Sequence, residues 1–307
     1  MENMIIVKNF VKTYGDFTAV DHVSFEVKSG SIFAFLGPNG AGKSTVINTL
    51  CTMLEKTSGT LLIDGKDVSR NPDAVRSVIG VVFQDSTLDN KMTVEENLKM
   101  HCHFYGLPKS VMNERIHFVL DLVDMMDWKK SLAGSLSGGM KRRIEIARSL
   151  LHFPKVLFLD EPTTGLDPQT RAHIWEYIVT LQKKKNMTIF LTTHYMEEAE
   201  ISDQVAIMDK GKIIAFDQPS SLKKQYTKDK VHITSENGRE LESLLYLYDL
   251  PYKKAGCSYY IETNELSDLL DIMSEHKPFM KDLEVKKGTL NDVFLEITGK
   301  DMGGSFS

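Results

Sequence analysis

The sequence predicts an α/β fold. It should hold a mixed sheet with an antiparallel edge and a helical subdomain, followed by a small C-terminal α+β domain. Three observations carry this. Two continuous apolar runs, KVLFLDEP and MTIFLTTH, alternate with helical patterns, as parallel strands covered on both faces do. Residues 4–35 instead hold β-rich runs close together, MIIVKNFVKTYG, AVDHVSFEV and SIFAFL, the pattern of an antiparallel sheet edge. After Pro219 the composition changes, and the patterns follow one another in βαββαβ order, a ferredoxin-like arrangement.

Taken in order, the glycine-rich stretch GPNGAGKST (Gly37–Thr45) follows SIFAFL and precedes a helix marked by Val46, Ile47, Leu50, Met53 and Leu54. SGTLLIDGKDV reads as a hairpin with a DGK turn, and VIGVVFQD as a buried strand with a polar end. From residue 93 to 151 the pattern is helical: TVEENLKMHCHFYGL, VMNERIHFVLDLVDMM and GGMKRRIEIARSLLH. A boundary near 220 gives a domain over 1–220, with its helical subdomain at about 85–150, and an accessory domain over 221–307. The second domain runs KVHIT, ELESLLYLY, YKKA, SYYIET, ELSDLLDIMSEH and DLEVKK, closes on the helix TLNDVFLEIT, and ends in a GGSFS tail expected to be disordered.

Net charge is −5, so there is no overall basic footprint and no nucleic-acid partner is expected. No apolar run approaches the roughly 18–20 residues of a membrane span. MENMIIVKNF lacks the features of a signal peptide, which predicts an intracellular protein. Cys51, Cys102 and Cys257 are odd in number and widely spaced, so reduced thiols are expected rather than a metal site or disulfide framework.

The chemistry lies in three stretches. GPNGAGKS fits a phosphate-binding loop. Its glycines let backbone N–H groups converge on phosphate oxygens, and the helix that follows turns its positive end to the anion. Gly37, Pro38, Asn39, Gly40, Ala41, Gly42, Lys43, Ser44 and Thr45 are the binding candidates, with Lys43 reaching the β- and γ-phosphates and the Ser44 hydroxyl on Mg²⁺. KVLFLDEP delivers Asp160 and Glu161 to the C-terminal end of a buried strand, where α/β sheets bind ligands. Asp160 is placed to hold Mg²⁺, and Glu161 to polarise an attacking water. In LSGGMKRRIEIARSLL, Ser137 is a natural N-cap, and Gly138 and Gly139 open a second anion-facing helix end. One nucleotide has little use for both ends from one subunit. A head-to-tail dimer, with the loop of one copy and the Ser137–Gly139 turn of another on one triphosphate, resolves this.

On these residues the chain resembles the ATP-binding cassette ATPases, a P-loop NTPase family and the motors of membrane transporters. The resemblance covers residues 4–220. GPNGAGKST is similar to the family's Walker A loop, VLFLDEP to Walker B with its catalytic glutamate, and LSGGM to a signature usually written LSGGQ. GLDP at 165–168 looks like the D-loop. Gln84, His194 and Tyr14 fall at the places of the Q-loop glutamine, the switch histidine and the aromatic that stacks on adenine. The resemblance thus implies ATP as nucleotide. It puts Tyr14 on the base, Gln84 on Mg²⁺ or the water, His194 on the γ-phosphate, and Asp167 across the dimer. Met140 replaces the signature glutamine, whose place is the least constrained of the five, and inactivation is not expected.

The words around the signature, with LDEPTTGLDPQTRAHIWEYI and the ending TLNDVFLEITG, are similar to the bacterial exporter branch that includes daunorubicin-resistance pumps. That branch works with a separate six-helix ABC-2 type permease, which implies a peripheral protein on the cytoplasmic face of the membrane. Residues 85–135 should form the groove for the permease. An importer ATPase, a soluble cassette protein acting on ribosomes or DNA, and a binding-only subunit are the competing readings. The 221–307 domain reads as a dimer-stabilising or regulatory appendage, or as a ligand sensor.

Overall fold

The computed structural model describes residues 2–235, 237–263, 266–275 and 281–299; the GGSFS tail lies outside them. The chain divides into two compact units, Met1–Phe216 and Asp217–Ser307.

The first unit opens with β1 (Asn3–Tyr14), β2 (Phe17–Lys28), β3 (Ile32–Leu36), α1 (Lys43–Leu50), β4 (Ser58–Ile63), β5 (Lys66–Asp67), α2 (Pro72–Arg76) and β6 (Ile79–Val82). The helical stretch follows, with α3 (Val94–Phe104), α4 (Lys109–Leu122) and α5 (Gly138–Ser149). Then come β7 (Val156–Asp160), α6 (Pro168–Lys185), β8 (Thr188–Thr193), α7 (Met196–Ala199), β9 (Gln204–Asp209) and β10 (Lys212–Asp217). One sheet has the order β2-β1-β4-β5, with antiparallel pairing throughout. The other has the order β10-β9-β3-β8-β7-β6, and its β9-β3-β8-β7-β6 part is parallel.

Here the sequence reading is corrected in two places. Met53 and Leu54 lie beyond α1, which ends at Leu50, and Met53 is exposed rather than on the buried helix face. SIFAFL was grouped with the antiparallel edge, but β3 sits inside the parallel sheet between β8 and β9. All five of its residues are buried, which only a strand covered on both faces requires. The two sheets meet through phenylalanines. Phe25 of β2 stacks on Phe33 of β3 with ring centroids 5.2 Å apart, and Phe33 stacks in turn on Phe190 of β8 at 5.1 Å. Val46, Ile47 and Leu50 of α1 complete this core.

The β9–β10 connection had no counterpart in the sequence reading. Lys210 and Gly211 both have positive φ, the two-residue turn that suits a twisted hairpin. Gly211 N–H donates to Ala41 O at 2.9 Å, and Gly211 O accepts from Asp21 N–H at 2.8 Å, so the hairpin braces the glycine loop from behind.

The second unit runs α8 (Pro219–Tyr226), β11 (Asp229–Thr234), α9 (Gly238–Leu247), β12 (Tyr252–Ala255), β13 (Ser258–Thr263), α10 (Leu266–Glu275), β14 (Asp282–Lys286) and α11 (Leu290–Thr298). Its sheet is antiparallel with the order β12-β13-β11-β14, so the βαββαβ pattern is present. Val231, Ile233, Tyr259 and Ile261 face a core closed by Leu241, Leu245 and Leu269. The edge strand β12 is exposed along its whole length and carries Lys253 and Lys254.

Candidate functional site

Four neighbouring parallel strands deliver the chemistry at one edge of the sheet. β3 ends at Leu36 and passes into Gly37, β6 runs through Phe83 to Gln84, β7 ends at Asp160 beside Glu161, and β8 leads through Thr193 to His194. These are C-terminal strand ends, where open α/β sheets place ligands.

The glycine loop is tight by necessity. A Cβ on Gly37 would meet the Met208 carbonyl oxygen at 2.2 Å, so no other residue fits there. Gly42 caps α1 in the left-handed region, with φ 105°. Lys43 is buried, and its ammonium donates to Gly37 O at 2.7 Å and Pro38 O at 3.1 Å. Burial lowers its pKa, and the charges of Glu161 and Asp160 oppose that shift.

Glu161 is the centre of the cluster. Its Oε1 lies 3.8 Å from Lys43 Nζ, and its Oε2 accepts from Gln84 Nε2 at 3.3 Å and Thr164 Oγ1 at 3.2 Å. His194 Nδ1 stands 3.3 Å from the same oxygen, near enough for an ion pair but out of line for a hydrogen bond. Glu161 has φ 45°, in the left-handed region, and its N–H donates to both Thr192 O and Thr192 Oγ1 at 3.1 Å.

Asp160 lies beside it. The Ser44 hydroxyl is 3.5 Å from Asp160 Oδ1, and the Thr192 hydroxyl donates to the same oxygen. Burial raises the Asp160 pKa, the Thr192 bond lowers it, and the neighbouring Glu161 charge raises it again. Ser44 and Asp160 offer an oxygen donor set around a carboxylate disfavoured by burial, with Gln84 on the neighbouring Glu161. A hard divalent cation such as Mg²⁺ fits that set.

The remaining candidates lie elsewhere. Ser137 caps α5, its Oγ accepting from Met140 N–H at 3.3 Å, and is exposed with Gly138. A Cβ on Gly139 would meet Thr170 Cγ2 at 2.4 Å. Asp167 caps α6, accepting from Thr170 N–H at 2.9 Å and Thr170 Oγ1 at 2.6 Å. Among the described residues, no hydrogen bond or ion pair joins Ser137, Asp167 or their turns to the glycine loop. Tyr14 stands at the tip of the β1–β2 hairpin, 46% exposed, with Lys12 Nζ 4.9 Å from its ring centre. The structure therefore gathers Lys43, Ser44, Gln84, Asp160, Glu161 and His194, and does not join Tyr14, Ser137–Gly139 or Asp167 to them by any hydrogen bond or ion pair among the described residues. Sequence reasoning missed Thr192 and Thr164. The adjacent threonines that end the apolar run in TIFLTTH and the pair in EPTTG were the signals available.

A buried lysine in a glycine loop, an acid pair and a histidine at adjacent strand ends define a nucleoside-triphosphate hydrolase. The family model described as ABC transporter matches residues 20–164. A Nod factor export ATP-binding protein I from Ralstonia nicotianae is 36% identical over 97% of this chain and 95% of its own length. A daunorubicin resistance ATP-binding protein from Streptomyces coeruleorubidus is 32% identical over 98% of this chain and 97% of its own. The Escherichia coli "Probable multidrug ABC transporter ATP-binding protein YbhF" is 40% identical over 74% of this chain, which spans only 39% of that relative. Among solved structures, cbiO1 from Clostridium perfringens, part of the ABC transporter complex cbiONQ, has a TM-score of 0.68 at 31% identity, over 72% of this chain and 91% of that one. A dimeric post-hydrolysis ATP-binding cassette bound to ADP and Pi has a TM-score of 0.64 at 26% identity, over 70% and 98%. The chain belongs to the ATP-binding proteins of ABC transporters, the subunits that bind and hydrolyse ATP.

Proposed function

We propose that this chain is the motor of an ABC-type exporter. Two copies close head to tail on two MgATP at the cytoplasmic face of a membrane and drive a separate ABC-2 type permease. The convergence of Lys43, Gln84 and His194 on the Glu161 carboxylate carries the hydrolytic part of this reading. The exporter part is supported by likeness to export and drug-resistance ATPases through both units, over 97–98% of the chain.

Each group then has a task. The glycine loop and Lys43 bind the phosphates, and Tyr14 stacks on adenine. Ser44, Asp160 and Gln84 hold Mg²⁺, which when bound offsets charge on the β- and γ-phosphates. Glu161 accepts hydrogen bonds through Oε2, and that carboxylate orients the attacking water and takes its proton. His194 steadies the γ-phosphate. Ser137, Gly138 and Gly139 of the second copy close the site with the bare N–H groups of a helix N-terminus. Asp167 links the copies. A cleft of about 670 Å³ beside the helical stretch, lined by Met53, Arg76, His101, Phe104, Tyr105 and Arg148, receives the permease. Its rim is apolar and open, with Phe104 72% and Met53 57% exposed.

The test is a pull-down of tagged protein from membranes in mild detergent, with partners identified by mass spectrometry. A polytopic six-helix protein is the expected partner, lost when Phe104 is replaced by Glu. A soluble or ribosomal partner with no membrane protein would overturn the transport reading and leave the ATPase chemistry standing.

A further inference from the structure

The helix that begins at the Ser137–Gly139 turn also reaches the catalytic acid of its own subunit, through one residue. Arg142 is 6% exposed, and a guanidinium has five N–H donors. All five are used. Nε donates to Pro162 O at 2.6 Å, Nη2 to Asp160 O at 3.2 Å and Glu161 O at 3.0 Å, and Nη1 to Phe83 O and to Glu145 Oε2, the last at 3.2 Å. Four of the acceptors are backbone carbonyls, three of them consecutive. They belong to the two segments that carry Glu161 and Gln84.

The need for such a clamp is visible in the backbone. A glutamate in the left-handed region brings its Cβ against the following carbonyl, so the conformation must be held from outside. Thr192 holds the N–H of Glu161, and Arg142 holds its C=O. The same face of α5 grips the chain just beyond Gln84: Glu145 Oε1 accepts from Thr87 N–H at 2.9 Å, and Arg148 Nη1 donates to Thr87 O at 2.9 Å. Residues 142, 145 and 148 are spaced to lie along one side of a helix.

We propose that Arg142 is a positioning residue for ATP hydrolysis. It locks the left-handed turn at Glu161 to the Phe83 carbonyl, so that the Glu161 carboxylate and the Gln84 amide stand together where the attacking water is polarised. This rests on Glu161 being the general base. Because Arg142 lies in α5, which Ser137 caps, the turn that engages the partner's nucleotide is rigidly joined to the acid at the subunit's own.

The experiment measures steady-state ATPase, MgATP affinity by a fluorescent nucleotide analogue, and melting temperature for R142Q, R142K, R142A, E161Q and R142Q/E161Q in the full chain. R142Q should lower kcat by about 10–100-fold while KM and nucleotide affinity stay within about threefold, since a misplaced catalytic group costs turnover rather than binding. R142K, with three donors in place of five, should fall between R142Q and wild type. Millimolar guanidinium should restore part of the activity of R142A, which a general loss of stability would not permit. In the E161Q background R142Q should cost nothing further. A wild-type kcat in R142Q, an equal loss in both backgrounds, or a loss confined to KM overturns the proposal. Wild-type turnover in E161Q would instead remove the base on which it rests.

Discussion

Gly139 packs so closely on Thr170 that a Cβ at the glycine would lie 2.4 Å from Thr170 Cγ2. Thr170 has little room to move aside, because its N–H and hydroxyl both donate to Asp167. The turn that opens α5 and the cap of α6 are therefore in contact within one subunit. Gly139→Ala should fold and bind ATP as a monomer, yet lose ATP-driven dimerisation by about tenfold, the cost of overpacking by one methyl group. Adding Thr170→Ser removes Cγ2, keeps the cap, and should recover most of the loss in analytical ultracentrifugation with MgATP.

Thr192 serves both acids at once, accepting from Glu161 N–H and donating to Asp160. Thr192→Val keeps the shape and removes both bonds. Buried polar groups left without partners cost about 1–3 kcal/mol, so denaturant titration should show a loss of that size. Turnover should fall only modestly, since the Thr192 carbonyl, which valine keeps, still accepts from Glu161 N–H at 3.1 Å. Unchanged stability would mean that solvent replaces the hydroxyl.

Asp160 makes an opposite prediction. Burial raises its pKa in the fold, so the folded chain disfavours the carboxylate relative to the unfolded one. Its contribution to stability therefore falls as pH rises from the ordinary carboxylate range through the raised folded value. Asp160→Asn should melt higher than wild type in metal-free neutral buffer, with the gain shrinking toward pH 4, while ATP hydrolysis is lost. A lower melting temperature at neutral pH would count against this.

His101 lines the cleft beside Tyr105, which stacks on His152 with centroids 3.7 Å apart. Burial, then the charges of Arg148 and His152, push its pKa down to about 4. The unfolded chain takes up this proton near pH 6.5, earlier than the fold does. Stability from this group is thus full above about pH 6.5 and declines as pH falls toward 4. His101→Gln should flatten the acid limb of a melting-temperature profile between those values, and an unchanged limb would assign it to other groups.

Much of the site was legible because its chemistry is local. Gly37 to Thr45 is one loop, and Asp160–Glu161 one strand end, so spacing alone groups their members. Strand partners are not local. SIFAFL lies close to the β1–β2 hairpin in sequence, yet it enters the other sheet by pairing with residues more than 150 positions away. Its unbroken apolar run IFAFL was the available sign, and it was outweighed by proximity to the alternating runs. The β9–β10 hairpin escaped notice because its strand IMDKGKII carries only a Lys-Gly turn signal. Arg142 was hidden for a different reason. Its partners are carbonyls, which every residue possesses, so no side-chain pattern marks the positions that it binds.

The edge strand β12 has a consequence for crowding. All four of its residues are exposed, and two are lysines. Adjacent strands in a sheet lie about 4.8 Å apart. A neighbouring chain adding itself to this edge would bring like charges to that spacing, which proteins use to stop sheets from growing between molecules. At high concentration this edge therefore works against strand-to-strand joining of second units.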